Sequence, residues 1–423
     1  MAEQGPDAQP HVKPSAARTD ATAADARTRP PAVADGATDA LQARWPSGRH
    51  EDGSPLGIYA ENLSTDHLAR VSADGEILDI PRDLRTARAE RYMLKSAARR
   101  LLPKDHRTTK CMHWRLPDRE VQVQRGATND RAFYHGLQVC AMPWTCPVCA
   151  SKISERRRQE VAKAIKQADV LGLQVFLVTL TIPHGIGDDV GSMLDKMTKA
   201  WSRLWIGRQG IALRNALGLF GHIRALEVTY GQNGFHPHFH ALLFFHPQQT
   251  TGAGWGTLGP RWQQVCVKSG LPMPDLMHGI KIDGGSKAAN YVAKGVWGLE
   301  SEVTKGHVKS GRNGSRTPFD LLRDFHHGDK ASGALWRVYV DAFAGRRQLH
   351  WSVGLKKLLA IAELSDEEIA NKPDEQPALL LATITDDQWR VIYRRHLESV
   401  VLDLAETSVD AMRLFLQSLK EDS

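Results

Sequence analysis

Phe235-His236-Pro237-His238-Phe239-His240-Ala241-Leu242-Leu243-Phe244-Phe245 sets three histidines at alternate positions and runs on into an apolar tail of strand-forming residues. A β-strand turns successive side chains to opposite faces, so His236, His238 and His240 share one face. Two imidazoles at i and i+2 on a rigid strand can offer nitrogens to one divalent metal. A lone histidine is more often an ordinary polar residue. Three in alternation inside an apolar strand favour a metal or catalytic site.

Working outward, His222-Ile223-Arg224-Ala225-Leu226-Glu227-Val228-Thr229-Tyr230 reads as a preceding strand, and Gly231-Gln232-Asn233-Gly234 as the hairpin turn between the two. If Tyr230 pairs with Phe235, antiparallel register sets Glu227 opposite His238 and Thr229 opposite His236. A carboxylate beside two imidazoles makes a three-ligand set for Mg²⁺ or Mn²⁺, with positions open for phosphate oxygens. A one-residue slip would turn Glu227 to the other face. Its competing role is a surface carboxylate paired with an arginine. Val175-Phe176-Leu177-Val178-Thr179-Leu180-Thr181-Ile182 is a further strand, stopped by Pro183, with Thr179 and Thr181 on one face. A helix over about 190–206 places Met193, Met197, Trp201 and Leu204 at core spacing.

The chain has 423 residues, room for two or three domains. Hydrophobic content of 42% and charged content of 24% are those of a globular protein. A net charge of +7 suits a polyanionic partner without demonstrating one. No apolar run approaches the ~18 residues of a membrane span, and the N-terminus has no signal-like apolar region, so a cytoplasmic protein is expected. Residues 2–40 lack Leu, Ile, Phe, Trp and Tyr, which predicts a disordered tail over 1–55. An N-terminal helical segment follows over 56–108, its clearest helix at 84–102 and stopped by Pro103.

Cys111, Cys140, Cys146 and Cys149 come next, the last two forming the knuckle Cys146-Pro147-Val148-Cys149. Four thiolates with one tight turn suit a tetrahedral structural Zn²⁺, with His113 and His135 as alternative ligands. A redox pair of thioredoxin type is the competing reading, and the extra upstream cysteines weigh against it. The helix after the knuckle carries Lys152, Arg156, Arg157 and Arg158, which would meet DNA phosphates or simply face solvent. This Cys-rich zinc-binding module and basic helix spans 109–160.

Beyond a Gly/Trp-rich linker (251–262), Gly285-Ser286-Lys287-Ala288-Ala289-Asn290-Tyr291-Val292-Ala293-Lys294 opens a helix. Lys287, Tyr291 and Lys294 share one face of it. An ammonium one turn away stabilises a phenolate, which suits a nucleophile, although a tyrosine taken alone is more often a packing residue. Residues 334–358 read as a helix and then a last strand. The stretch from about 384 to 420 reads as two amphipathic helices capped by Thr385 and Ser408. No phosphate-binding loop of the G-x-x-x-x-G-K-[ST] type is present, so a built-in helicase is not expected.

Taken in order, the Thr-Leu-Thr strand, Asn233-Gly234-Phe235-His236-Pro237-His238-Phe239-His240 and Tyr291-Val292-Ala293-Lys294 resemble the HUH endonucleases. Within them the chain is similar to the rolling-circle replication initiators of small bacterial plasmids. Trp144-Thr145-Cys146-Pro147-Val148-Cys149 and Gly345-Arg346-Arg347-Gln348-Leu349-His350-Trp351-Ser352-Val353-Gly354-Leu355 add to the resemblance, which covers about residues 109–357. It implies an α+β fold: a central antiparallel sheet flanked by helices, of ferredoxin/RRM-like type, with a small Cys-rich zinc module. The endonuclease domain would span 161–358 and a C-terminal helical extension 359–423.

The resemblance also implies that His238 and His240 are the paired metal ligands, with Glu227 as a further one and His236 in support. Tyr291 would attack a phosphodiester at the plasmid's double-strand origin, presented as a single-stranded hairpin. A 5′-phosphotyrosyl link and a free 3′-OH would result, for use by a host polymerase and helicase. Lys294 would hold the phosphate or lower the tyrosine's pKa. In some initiators a glutamate stands one turn before the tyrosine and activates water. Here that position is Lys287, so the closing step would use another residue. Two alternatives stay open at this stage: a single-strand DNA transposase of the HUH type, and a non-enzymatic zinc-dependent DNA-binding regulator.

Overall fold

The fold was analysed in a computed structural model that describes residues 59–61, 67–71, 77–81, 84–127, 130–247, 252–283, 315–371 and 377–419. Three antiparallel sheets organise them. The first joins β1 (Tyr59–Glu61), β2 (His67–Val71) and β3 (Ile77–Pro81) in sequence order, ahead of a helix over Leu84–Leu101. The second, three-stranded, contains β4 (Val121–Gly126) and β5 (Ala132–His135). The third and largest has five strands: β6 (Gln174–Leu180), β7 (Leu219–Gly231), β8 (Gly234–Phe245), β9 (Ile280–Asp283) and β10 (Leu349–Trp351), in the order β10-β7-β8-β6-β9. The last strand, β11 (Ala378–Ile384), returns to pair with β4, so the second sheet runs β11-β4-β5. The α+β class with antiparallel sheets flanked by helices is as expected.

The five-stranded sheet positions the site. The β7–β8 hairpin pairs Tyr230 with Phe235, Thr229 with His236 and Glu227 with His238, the register read from the Asn-Gly turn. Gly234 sits at φ +82°, and a Cβ there would lie 3.1 Å from the Gly185 carbonyl oxygen, so glycine answers both the turn and the close approach. One face of the sheet, including Leu226, Val228, Phe239, Ala241 and Leu243, packs on the helix Val190–Trp205 through Met193, Met197, Trp201 and Leu204. The opposite face, with Ile223, Ala225, Leu242 and Phe244, packs on the long helix Pro147–Val170 through Val161, Ala164, Ile165 and Ala168. Apolar residues continue along this second face until the hairpin end, where Glu227, His238 and His240 take their place.

Three expectations are corrected. The segment over 56–108 opens not as helix but as the strands β1–β3, and its helix begins only at Leu84. The Gly/Trp-rich stretch over 251–262 is not a linker but most of a helix, Gly252–Lys268. Leu258, Trp262, Val265 and Cys266 recur at helical spacing and bury against the core, Trp262 to 1% exposure, which outweighs the weak propensity of the glycines and the internal Pro260. Gly254 allows the close approach of this helix to its neighbour, since a Cβ there would lie 2.7 Å from the Ala216 carbonyl oxygen. The C-terminal stretch is three helices and not two: Asp386–Arg394, Glu398–Thr407 and Val409–Ser418. His396, at φ 55°, breaks the first run in the left-handed region. Thr385 and Ser408 cap as expected, Thr385 within a capping box completed by Gln388.

These C-terminal helices close a core with β4, β5 and β11 around Val123, Tyr134, Leu381, Trp389, Ile392 and Val401. Buried Lys95 reaches Glu398 at 3.6 Å and donates to the Met112 carbonyl, tying the helix Leu84–Leu101 to that core. A buried pair of this kind is a weak source of net stability, yet breaking it by removing one partner is costly.

Candidate metal centres and nucleophile

Among the described residues, two groups of side chains are placed so that each could hold a metal ion. The first is the cysteine cluster. Pro147 opens the helix Pro147–Val170 with Cys146 as its N-cap, so the knuckle sits on the positive end of the helix dipole. Met112 and Ala141, each directly after a cluster cysteine, take φ of 48° and 52°. Such backbone costs about 1 kcal/mol or more at a non-glycine residue and persists where the surroundings demand a tight turn. All four sulfurs are buried, with separations of 3.6 Å for Cys111–Cys149, 3.6 Å for Cys140–Cys149 and 3.7 Å for Cys146–Cys111. A disulfide would need about 2.05 Å. The edge of a tetrahedron with metal–sulfur bonds of about 2.3 Å is about 3.8 Å. The donor set therefore fits a closed tetrahedral thiolate site.

As free thiols the four share protons: donation from Cys111, then Cys140 and Cys146, holds the Cys149 thiol well below its ordinary range, while hydrogen bonding within the cluster pushes Cys111 and Cys146 well up. Thr108, fully buried, aims its hydroxyl at Cys140 Sγ over 3.7 Å and bonds Thr145 at 2.6 Å, an outer layer of support around the sulfurs. Neither alternative ligand joins the cluster: His113 stacks on Tyr393 with centroids 3.5 Å apart, and His135 is exposed.

The second group is on the sheet. Glu227 Oε2 lies 3.4 Å from His238 Nε2 and 3.6 Å from His240 Nε2, and the three side chains are only 11–13% exposed. Bonds of about 2.1 Å to a shared ion place neighbouring donors about 3.0–3.4 Å apart, so the group needs little adjustment to take one. The ring orientation is set from behind. His240 Nδ1 meets the Thr179 hydroxyl at 3.0 Å, and His238 Nδ1 lies 3.2 Å from the His236 carbonyl oxygen. Engaging both Nδ1 atoms leaves both Nε2 atoms for Glu227 and an ion, the arrangement that metal-binding histidines use.

His236 shares the face, its ring stacked on that of His238 with centroids 5.1 Å apart, but it is not among the converging donors, and its Nδ1 lies 3.4 Å from His184 Nδ1. Burial, then His238 and His184, pulls its pKa down to about 3, so it is neutral at physiological pH. Thr179 and His184 are the contributors not assigned from the sequence. Thr179 could have been found from the pairing of the flanking strand, which sets it opposite His240. His184 follows Pro183 in a loop and carried no pattern.

Tyr291, Lys294 and Lys287 lie outside the described residues. The strand that leads toward them, β9, pairs with β6 beside the histidine strand. On the helix after the knuckle, Arg157 is drawn into ion pairs with Glu160 at 2.9 Å and Asp366 at 2.7 Å, and Arg158 pairs with Glu155 at 2.7 Å. Arg156 reaches Gln159, and Lys152 is half-buried near the start of the same helix. Arg157 thus ties the helix to the segment around Leu364–Asp366, whereas Arg156 and Arg158 make contacts within the helix.

Comparison with known proteins matches residues 131–376 to a family described as "Replication protein". A "Protein rep" of Streptomyces lividans is 28% identical over 345 residues, covering 64% of this chain and 76% of that protein. A "Protein rep" of Streptococcus pneumoniae serotype 2 (strain D39 / NCTC 7466) is 30% identical over 158 residues, covering 34% of this chain and 46% of that one. A "Neomycin resistance protein" of Streptomyces cyanogenus is 32% identical over 154 residues, covering 30% and 35%. No solved structure matches.

Proposed function

This chain belongs to the replication-protein family, and on that premise we propose that it initiates rolling-circle replication of a plasmid by nicking one DNA strand through a tyrosine. The observation that carries the reading is the meeting of Glu227 with His238 and His240 at 3.4 and 3.6 Å, at the hairpin end of a sheet face whose other described residues are packed in an apolar core. Three ligands leave positions for phosphate oxygens, whereas four cysteine ligands leave none. The cysteine cluster is accordingly assigned a structural Zn²⁺, and the sheet group a catalytic Mg²⁺ or Mn²⁺.

When bound, the divalent ion polarises the scissile phosphate and offsets the charge that develops on its oxygens. Glu227, His238 and His240 would hold it, and Thr179, bonded to His240 Nδ1, would keep that ring's Nε2 free for it. The Tyr291 hydroxyl oxygen attacks phosphorus, a Tyr–O–P bond forms, and the bond from phosphorus to the 3′ oxygen breaks. The phenolic proton ends on that 3′ oxygen, so one phosphodiester replaces another and no nucleotide is hydrolysed. Lys294 holds the phosphate or stabilises the phenolate. Lys287 cannot serve as the water-activating carboxylate, so the second cleavage draws on a different residue.

The test is incubation with single-stranded origin hairpin DNA and Mn²⁺ or Mg²⁺. A covalent protein–DNA adduct is expected from the wild type and not from Tyr291→Phe. Wild-type cleavage with no adduct would sink the tyrosine mechanism. The genetic neighbourhood separates replication from transposition: a hairpin-rich origin favours the first, flanking transposon ends the second.

A further inference from the structure

The motif Gly345–Leu355 plays no part in the metal chemistry, yet the structure puts its histidine in an unusual place. On the edge strand β10, His350 pairs directly with Arg224 of β7. Arg224 and His222 point to the sheet face opposite Glu227, as alternation along β7 requires. His222 stacks on Trp205 at 5.7 Å and 18°, and lies 6.2 Å from His350 at 19°. The Arg224 guanidinium rests 4.5 Å from the Phe239 ring centroid and 5.7 Å from that of Trp201.

Among the described residues this corner gathers one guanidinium, two imidazoles and an indole with no carboxylate acting on them. Arg224 Nε, His350 Nδ1 and Trp205 Nε1 are all enclosed with no hydrogen-bond partner among the described residues. An enclosed donor without an acceptor costs about 1–3 kcal/mol, and two such donors beside an unpartnered imidazole nitrogen call for an explanation. Burial alone pulls the Arg224 guanidinium down to about 10, with no carboxylate holding it up. Burial, then His350, Arg224 and Arg214, pulls His222 down to about 3, and burial, then Arg224 and Arg347, lowers His350; the charged groups acting on both rings are basic, with Arg214 and Arg347 exposed. Elsewhere in the motif the arginine is neutralised, since Arg346 pairs with Asp195 at 2.8 Å. Arg224, His222 and His350 are each only partly enclosed, so the group can be reached from solvent.

We propose that Arg224, His222 and His350 form a phosphate site for the backbone of single-stranded DNA, on the sheet face opposite the metal group. The assignment rests on the reading of the chain as a DNA-nicking initiator. An Arg fork suits a phosphate's oxygens, and a corner with no acid among the described residues favours an anion over a cation. Arg224 and Glu227 are three residues apart on β7, roughly 10 Å along the strand. Because β10 is the edge strand next to β7, a DNA strand leaving the metal group can pass around that edge to reach Arg224.

The experiment uses the full chain with Mn²⁺ and a fluorescein-labelled (dT)20, titrated by anisotropy at several salt concentrations. Arg224→Gln should weaken binding about fivefold and reduce the slope of log K against log salt by about 0.7, the share of one phosphate on a single strand. His350→Gln, on the edge strand and away from the core, should move both in the same direction by less. Zinc and manganese content should stay at wild-type values in both. Wild-type affinity and slope in a folded Arg224→Gln would overturn the site. A parallel titration with dTMP, read by the histidine ring proton shifts, separates the sources of phosphate. Saturation by dTMP with an unchanged (dT)20 slope would overturn the assignment to DNA and point to a mononucleotide. The nicking reading fails separately, through the absence of adduct on origin hairpin DNA, whatever the salt slope shows.

Discussion

The cysteine cluster and the Glu227–His238–His240 group are both able to hold a metal, and they are built in opposite ways. The cysteines come from turns and a helix start, lie wholly buried, and close on themselves with sulfur separations near those of a filled tetrahedron. The sheet group comes from two adjacent strands in rigid register and stays partly open. Closure suits an ion that holds chain segments together; an open, three-donor group suits one that must also meet substrate oxygens. The outer layers differ in kind too. Thr108 supports sulfur with a weak hydroxyl contact, whereas Thr179 and the His236 carbonyl set which nitrogen each imidazole presents.

The sharpest way to break this contrast is to remove ligands from each side. Replacing His238 and His240 by Ala should lower nicking by roughly a thousandfold or more, the scale of losing a metal's charge stabilisation, with zinc content and thermal unfolding unchanged. If unfolding shifts as much as activity, the sheet group is structural after all. Cys146→Ser/Cys149→Ser should do the reverse. Zinc analysis should show its loss, and the melting temperature should drop by roughly 10 °C, from about 4 kcal/mol of lost metal-linked stability. Retained zinc would overturn the cluster reading. Brief EDTA treatment should strip the sheet ion and stop nicking while zinc remains, because closed thiolate sites release metal less readily.

Smaller changes refine the picture. Thr179→Val should weaken Mn²⁺ binding by about tenfold, measured by calorimetry, since it frees the His240 ring without removing a ligand. Unchanged affinity would mean the strand alone fixes that ring. Thr385→Ala should cost about 1 kcal/mol in denaturant unfolding by loss of the capping box, with no effect on either metal.

Much of the site could be read from the chain because it is made of local features. A hairpin with a short Asn-Gly turn fixes pairing over many residues, so the sequence alone places Glu227 opposite His238. Three of the four cysteines fall within ten residues, which limits the geometries they can adopt. The helix Gly252–Lys268 was missed for the converse reason. Its glycines and Pro260 argue locally against a helix, and only burial of Trp262 and its neighbours in a distant core reverses that. The three-stranded sheet that takes β11 next to β4 joins segments some 250 residues apart, beyond the reach of any local pattern.

The histidine strand, its turn and the cysteine knuckle thus follow from residue order, because alternation, turn chemistry and short loops act over a few residues. Which ring nitrogens face Glu227, which arginines are spent on ion pairs, and that Arg224 and His350 meet without an acid depended on the fold. Those facts are set by side chains from β6, β7, β10 and separate helices closing on one another, and no single stretch of chain contains them.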